Sequence, residues 1–302
     1  MQLQMFYGKM EHLTPTQNHL IKYISDNYDE VIFLTASRLA QKAGVSEATV
    51  VRLSQSLGFD GYPAMLQELR KHMQDRLTTV TRLKQVVNLD RKEEDVLIRV
   101  IQEDIRNLSE TLRDFPTDNF NEAVNDFEQA RRIFVAGFRG AHAPSLTLVH
   151  YLRFIGKDAY LLLPGYGDIW DVIYGYQFNP TDLVIGISVP RYAKLTVEII
   201  AYAHQQGAKI GAITDSVFSP LGSHAHWVLP FRSRLDSFIE SLTAAMTIVN
   251  ALLTAISVRD PGKTIKELSN RESLWKSKQI YTEYKLDLHE ERKIQNGSDN
   301  KV

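Results

Sequence analysis

The amino-acid sequence predicts an all-α helix-turn-helix domain followed by an α/β domain, a parallel five-stranded sheet with helices on both faces. Three observations predict it. Between Thr35 and Leu57, two short amphipathic stretches are separated by Gly44 and headed by Thr35 and Ser46. From Arg132 to Leu229, short apolar runs alternate with helix-length stretches, the pattern of strands buried between crossover helices. The 302 residues carry 44% hydrophobic side chains, enough for roughly two domains with cores of their own.

Taken in order, Thr14 and Pro15 cap and start a helix running to about Tyr28, with Leu20, Ile21 and Ile24 on one face. A short connector, Val31 to Leu34, leads into the pair of helices. Thr35 caps the first, Gly44 supplies the left-handed backbone that ends it, and Ser46 caps the second. Leu39, Ala40, Ala43, Val45, Val50, Leu53 and Leu57 recur at the spacing that packs two helices across a tight turn. The aromatic turn Gly58–Pro63 precedes a further helix from Ala64 to about Met73. Arg76 to Lys92 reads as a linker with some helix. A longer helix, about Glu93 to Arg113, carries an apolar stripe of Leu97, Val100, Ile101, Ile105, Leu108 and Leu112. Asp118 to Gln129 is helical.

Strands are expected at Arg132–Gly137, Ala159–Leu163, Asp182–Ser188, Lys209–Thr214 and Ala225–Leu229. Helices are expected at Ala141–Ile155, Asp168–Gly175, Leu195–Gln206 and Ser237–Val258. The resulting units are a helical DNA-binding domain at 1–76, a linker and connecting helix at 77–114, an α/β domain at 115–258 and a charged tail at 259–302. The tail contains an amphipathic piece, Ile265 to Tyr284, and ends in a stretch expected to be disordered.

Net charge is −1, so the whole chain is no polycation. Between Val31 and Val86, however, eight Lys or Arg stand against four Asp or Glu, which favours phosphate contact. There are no cysteines. That excludes a disulfide framework, a thiol nucleophile and Cys-ligated metal, and fits a cytoplasmic protein. The N-terminus lacks a basic region followed by an apolar run, so no signal peptide is expected. The most apolar segment, Ser237–Val258, carries Glu240 and reads as a buried helix rather than a membrane span.

A second helix of this kind is expected to enter the DNA major groove. Its outward residues are Ser46, Glu47, Ala48, Val51, Arg52 and Gln55. Arg52 suits bidentate contact with guanine, and Thr49 suits a backbone phosphate. One recognition helix covers few base pairs, so a homodimer or homotetramer on a two-fold symmetric operator in double-stranded DNA is expected. In the α/β half, the first-strand loop is Gly137, Phe138, Arg139, Gly140, Ala141 and His142. The third-strand loop holds Ser188, Pro190, Arg191 and Tyr192. Each leads into a helix whose free N–H groups can receive an anion, and each supplies an arginine. These residues form the expected site of an anionic small-molecule effector, a sugar phosphate or a small acid.

The stretch Gly44–Tyr62, GVSEATVVRLSQSLGFDGY, together with Ile213–Leu221, ITDSVFSPL, resembles the RpiR/MurR family of bacterial transcriptional regulators. The resemblance covers about residues 13–258 and implies that the α/β half is a sugar-isomerase-type (SIS) domain. Where SIS domains usually carry G-x-G-x-S, this chain has Arg139 and Ala141 in place of the second Gly and the Ser. Where they usually carry S-x-S-G-x-T, Ser188 is kept but Pro190, Arg191 and Ala193 take the later positions. These GFR and PRY loops resemble a subgroup of the family, in which arginines stand in for the hydroxyl cradle of a sugar phosphate.

No catalytic residue, cofactor or metal is expected. Pro261–Thr264 ends like a P-loop but lacks its first glycine and its strand. His224 and His226 lack a third ligand for zinc, and no G-x-S-x-G elbow occurs. Two other readings stay open: a sugar-phosphate isomerase with His142 as its base, and a protein-binding adaptor.

Overall fold

The computed structural model describes residues 13–76, 78–87, 95–113, 115–163, 168–234 and 237–282. The expectations for the extreme N-terminus, for the start of the connecting helix at Glu93 and for the end of the tail lie outside these residues.

The N-terminal helices are α1 (Pro15–Asp26), α2 (Tyr28–Val31), α3 (Ala36–Ala43), α4 (Glu47–Ser56) and α5 (Tyr62–Arg76). Thr14 and Gln17 form a reciprocal capping box, with Pro15 at the first helical position. Two tyrosines of this domain close it. Tyr28 donates to the Leu69 carbonyl at 2.7 Å and Tyr62 to the Leu34 carbonyl at 2.9 Å. Burial pushes the Tyr62 phenol up to about 12, so it stays a donor at any physiological pH. Leu20, Leu39, Val50, Leu53, Met65 and Leu69 are wholly buried between the helices.

Then come α6 (Thr79–Val87) and α7 (Val96–Arg113). The predicted apolar stripe of α7 is largely turned outward: Leu97, Ile105 and Leu112 are 69, 58 and 79% exposed. The polar side of α7 makes specific bonds to the α/β half instead. Asn107 exchanges hydrogen bonds with the Arg234 backbone at 2.7 and 3.2 Å, and Thr111 accepts from Arg232 N at 2.9 Å.

The α/β half runs α8 (Thr117–Gln129), β1 (Arg132–Ala136), α9 (His142–Phe154), β2 (Ala159–Leu161), α10 (Ile169–Tyr176), β3 (Asp182–Ile187), α11 (Lys194–Gln205), β4 (Lys209–Thr214), β5 (Trp227–Pro230), α12 (Thr243–Arg259) and α13 (Pro261–Lys278). All four strand pairings are parallel, in the order β2-β1-β3-β4-β5. Side chains alternate between two cores. Ile133, Val135, Ile185 and Leu229 face α8, α9 and α12, whereas Phe134, Ala136, Val184 and Ala212 face α10 and α11.

Several predicted boundaries shift: the first helix ends at Asp26 rather than Tyr28, the second strand at Leu161 rather than Leu163, and two further shifts have a visible cause. The last long helix starts at Thr243, not Ser237, because the preceding residues are drawn into other bonds. Ser241 N donates to Ser233 O at 3.2 Å, and the Ser241 and Thr243 hydroxyls both bond Asp104 of α7. The fifth strand starts at Trp227 rather than Ala225, since the His226 ring takes the Ile210 N–H at 3.0 Å. Pro261–Thr264 opens α13 under an Asp260 cap and follows α12 rather than a strand.

Two constraints hold the sheet. Asp182 at the start of β3 is fully buried and receives Arg132 of β1 in bidentate fashion, at 3.0 and 2.7 Å, and Asn179 N at 3.2 Å. Burial works to raise the Asp182 carboxyl, but the Arg132 hydrogen bonds and charge outweigh it, and the net shift is downward. Gly211 faces Trp227 in register, and a Cβ there would lie 2.1 Å from the indole ring. That ring is fixed by its N–H to Asp126 at 2.8 Å.

Gly211→Ala is therefore expected to lower stability by about 2 kcal/mol or more, the range of core overpacking, read as a lower melting temperature. Asp182→Asn strands a half-buried guanidinium and is expected to cost about 3 kcal/mol at neutral pH. Because the folded carboxyl titrates below its unfolded value of about 3.9, this contribution is complete above that pH and fades as pH falls through the folded value. Urea unfolding of both proteins should show their stabilities converging in acid.

Candidate functional site

The helical pair is assembled by short-range bonds. Thr35 accepts from Arg38 N at 3.3 Å to start α3, and Gly44, at φ 67°, ends it with Val45 N returning to Ala40 O at 2.9 Å. Ser46 then caps α4 by accepting from Thr49 N at 3.2 Å. Val50 and Leu53 point inward and are fully buried. On the opposite face Ser46, Glu47, Ala48, Arg52 and Gln55 are exposed, with Thr49 and Val51 half-buried at the edge. The structure thus places all seven predicted contact residues on one side of one helix. The Thr49 hydroxyl shares a hydrogen with Ser46 Oγ at 2.8 Å, so it is oriented by the cap.

The second region lies at the carboxyl ends of the strands. β1 and β3 are neighbours, yet the chain leaves β1 toward β2 on one side and returns to β3 on the other. This is a switch point, where the crevice of an open α/β sheet forms. The two predicted loops flank it, leaving from the paired residues Ala136 and Gly186 and their neighbours. Gly137 is buried against the first turn of α9: a Cβ there would lie 2.0 Å from Ser145 Oγ. Phe138 and His142 are half-buried, Ala141 is buried and Gly140 is exposed. In the other loop Ser188 is buried, Pro190 and Tyr192 half-buried.

Arg139 and Arg191 share an unusual backbone. Both are exposed and both adopt left-handed φ, 58° and 69°. For a residue with a Cβ this costs of order 1 kcal/mol. Arg139 opens a short 3-10 turn, Arg139–Ala141, that has no side-chain cap and runs directly into α9, and Arg191 lies three residues before α11, whose first turn also has no side-chain cap. Both guanidinium groups thus stand beside a turn without a side-chain cap, the kind of place where backbone N–H groups can receive an anion.

Sequence reasoning missed Asp215. It ends β4, where its carboxylate accepts the Tyr192 hydroxyl at 3.0 Å to each oxygen and the Thr214 hydroxyl at 3.1 Å. An Asp directly after an apolar strand, at the end that binds ligands, was the available signal. Asp168 is a helix cap, accepting from Trp170 N at 2.9 Å. Ser237 and Glu240 lie in the loop before α12, and Glu240 pairs with Arg82 of α6 at 2.9 Å. His224 and His226 both stack near His204. Among the described residues, no group of three or more His, Asp or Glu is placed to hold a metal, and no helix is long and apolar enough to cross a membrane.

Comparison with known proteins agrees with both halves. The helix-turn-helix domain of the rpiR family matches residues 2–76, and the SIS domain matches residues 126–255. The HTH-type transcriptional regulator HexR of Pseudomonas aeruginosa is 24% identical over 265 residues, which cover 85% of this chain and 89% of that protein. Among solved structures, the sugar isomerase domain of an RpiR transcription factor from Sphaerobacter thermophilus is 31% identical. It covers 59% of this chain and 99% of its own, with a TM-score of 0.56. The Vibrio vulnificus NanR protein complexed with ManNAc-6P shares the fold across 91% of this chain and 98% of its own, at 20% identity and a TM-score of 0.60. The chain belongs to the RpiR family of helix-turn-helix transcriptional regulators, with an SIS domain as its α/β half.

Proposed function

We propose that this regulator reads a two-fold symmetric operator through α4 and that an anionic small molecule, a sugar phosphate or a small acid, controls its operator affinity from the β1/β3 crevice. The observation that carries the effector reading is the pairing of Arg139 and Arg191, both on left-handed backbone, with the uncapped turn that opens α9 and the uncapped start of α11. Guanidinium groups and free helix N–H groups together favour phosphate or carboxylate. Gly137, Phe138, Gly140, Ala141, His142, Ser188, Pro190 and Tyr192 form the walls. The phosphosugar complex of the NanR relative is in keeping with this reading.

For DNA, the exposure of Ser46, Glu47, Ala48, Arg52 and Gln55 on α4 supports a reading in which Arg52 contacts guanine, Thr49 a backbone phosphate, and the other outward residues, with Val51, line the groove. The working division of the chain is DNA-binding domain 1–76, linker and connecting helix 77–114, effector domain 115–258 and tail 259–302. A homo-oligomer supplies the second half-site. The outward apolar residues of α7, Leu97, Ile101, Ile105 and Leu112, are the kind of surface that a second copy covers.

Selection of bound duplexes from a randomised pool is expected to return a two-fold symmetric site. Arg52→Ala should weaken binding to it by about 10- to 100-fold, the worth of one bidentate base contact, and relax preference at that position. Enrichment of no symmetric site would contradict the operator reading. Arg191→Ala should weaken binding of phosphorylated sugars or small acids, measured by calorimetry, by about tenfold or more, as loss of a charge-assisted bond implies. Its operator affinity without effector should stay unchanged; equal effector affinity in both proteins would sink the assignment.

A further inference from the structure

The DNA-binding domain and the linker reach the effector end of the sheet through three successive loops. After β3, the Tyr192 ring meets Phe33 of the helical domain edge-on, with centroids 5.8 Å apart. After β4, Phe218 packs against the helical domain's own core. Lys42 of α3 lies over the Phe218 ring at 5.0 Å and pairs with Glu30 at 2.6 Å. After β5, Glu240 and the Phe238 carbonyl are both held by Arg82, whose side chain is only 14% exposed. The reading face of α4 takes no part in these contacts and stays exposed.

Tyr192 belongs to both sides of this arrangement. It follows Arg191 in the strained turn at the crevice, and its hydroxyl is anchored to Asp215. Its ring, from the same position, touches the helical domain. A turn held in a sparsely populated conformation has a second arrangement available when a ligand favours it.

We propose that Phe33, Tyr192 and Phe218 form an intramolecular latch that couples crevice occupancy to the placement of the DNA-binding domain of the same chain. This rests on the anion reading of the crevice. An anion on Arg191 draws the Arg191–Tyr192 turn toward the start of α11 and away from Phe33, so the docked domain and the filled crevice oppose one another. Phe33 and Phe218 lie on the contact and are not walls of the crevice, so their loss leaves the anion-binding residues in place. By reciprocity, undocking by mutation tightens effector binding by the same factor that the effector loosens docking, typically about fivefold or more.

The chain has no cysteine, so two can be placed for spin labels at the exposed positions Ser37 and Gln205. Labelled chains diluted into unlabelled ones report only distances within one chain, by pulsed electron paramagnetic resonance. The latch predicts a narrow distribution in the parent background and a broad one in Phe33→Ala with Phe218→Ala. Tyr192→Ala, which changes the crevice side, should broaden it too, with folding checked by circular dichroism. Fructose 6-phosphate or inorganic phosphate that binds by calorimetry should broaden the parent distribution along its binding curve. It should also bind the Phe33→Ala, Phe218→Ala protein about fivefold more tightly. A narrow distribution in Tyr192→Ala, a broad one in the parent, or binding of either probe with unchanged distances overturns the latch. Failure of every phosphorylated sugar and small acid to bind overturns the anion reading instead, and the Tyr192→Ala distribution still decides whether the docking exists.

Discussion

The parallel pairing of β1 with β3 is the constraint on which the α/β half depends. The two strands are separated by a helix, an edge strand and a second helix, so their adjacency cannot come from a local turn. A buried carboxylate closes it: Asp182 takes the forked guanidinium of Arg132 across the first register pair. Such a pair adds little net stability over apolar residues, but it penalises misplacement heavily, since a slipped register would leave a charge buried alone. With the strands fixed side by side at that end, the loops at the other end open next to each other. The placement of the Arg139 and Arg191 loops at neighbouring strand ends depends on this pairing.

At those loops the energetic logic reverses. Arg139 and Arg191 occupy backbone that glycine would adopt more readily. This chain thus accepts backbone strain to set a cation at each of the two loops. The turn that opens α9 and the first turn of α11 have no side-chain cap. The rest of the sheet is packed without such defects, with side chains from alternating positions filling two separate cores. Two left-handed arginines at neighbouring loops of one sheet end favour a binding role for that end.

The helix-turn-helix unit was legible in the sequence because its determinants are local. Thr35, Gly44 and Ser46 act within a few residues of where they stand, and each performs its predicted cap or turn. The strands and their parallel class were legible from apolar runs. Strand order was not, because it rests on partners tens of residues apart. The α7 stripe was seen correctly but its direction was not: periodicity says that a helix has an apolar side, not what covers it. The start of α12 was misplaced because Asp104, far away in sequence, captures the residues expected to begin it. Asp215 and the Arg82–Glu240 pair were missed for the same reason, since each acquires its partner only when the chain is folded.

The central claim is that an anion is received by the starts of α9 and α11 together. Hydrogen–deuterium exchange with and without a saturating bound effector, or inorganic phosphate in its place, tests it most directly, because the claim concerns particular backbone N–H groups. The account predicts slowed exchange in both 139–145 and 190–197. It would be contradicted by protection confined elsewhere, for example to the separate cavity of about 350 Å³ between α9 and α13 lined by His150, Arg153 and Arg271.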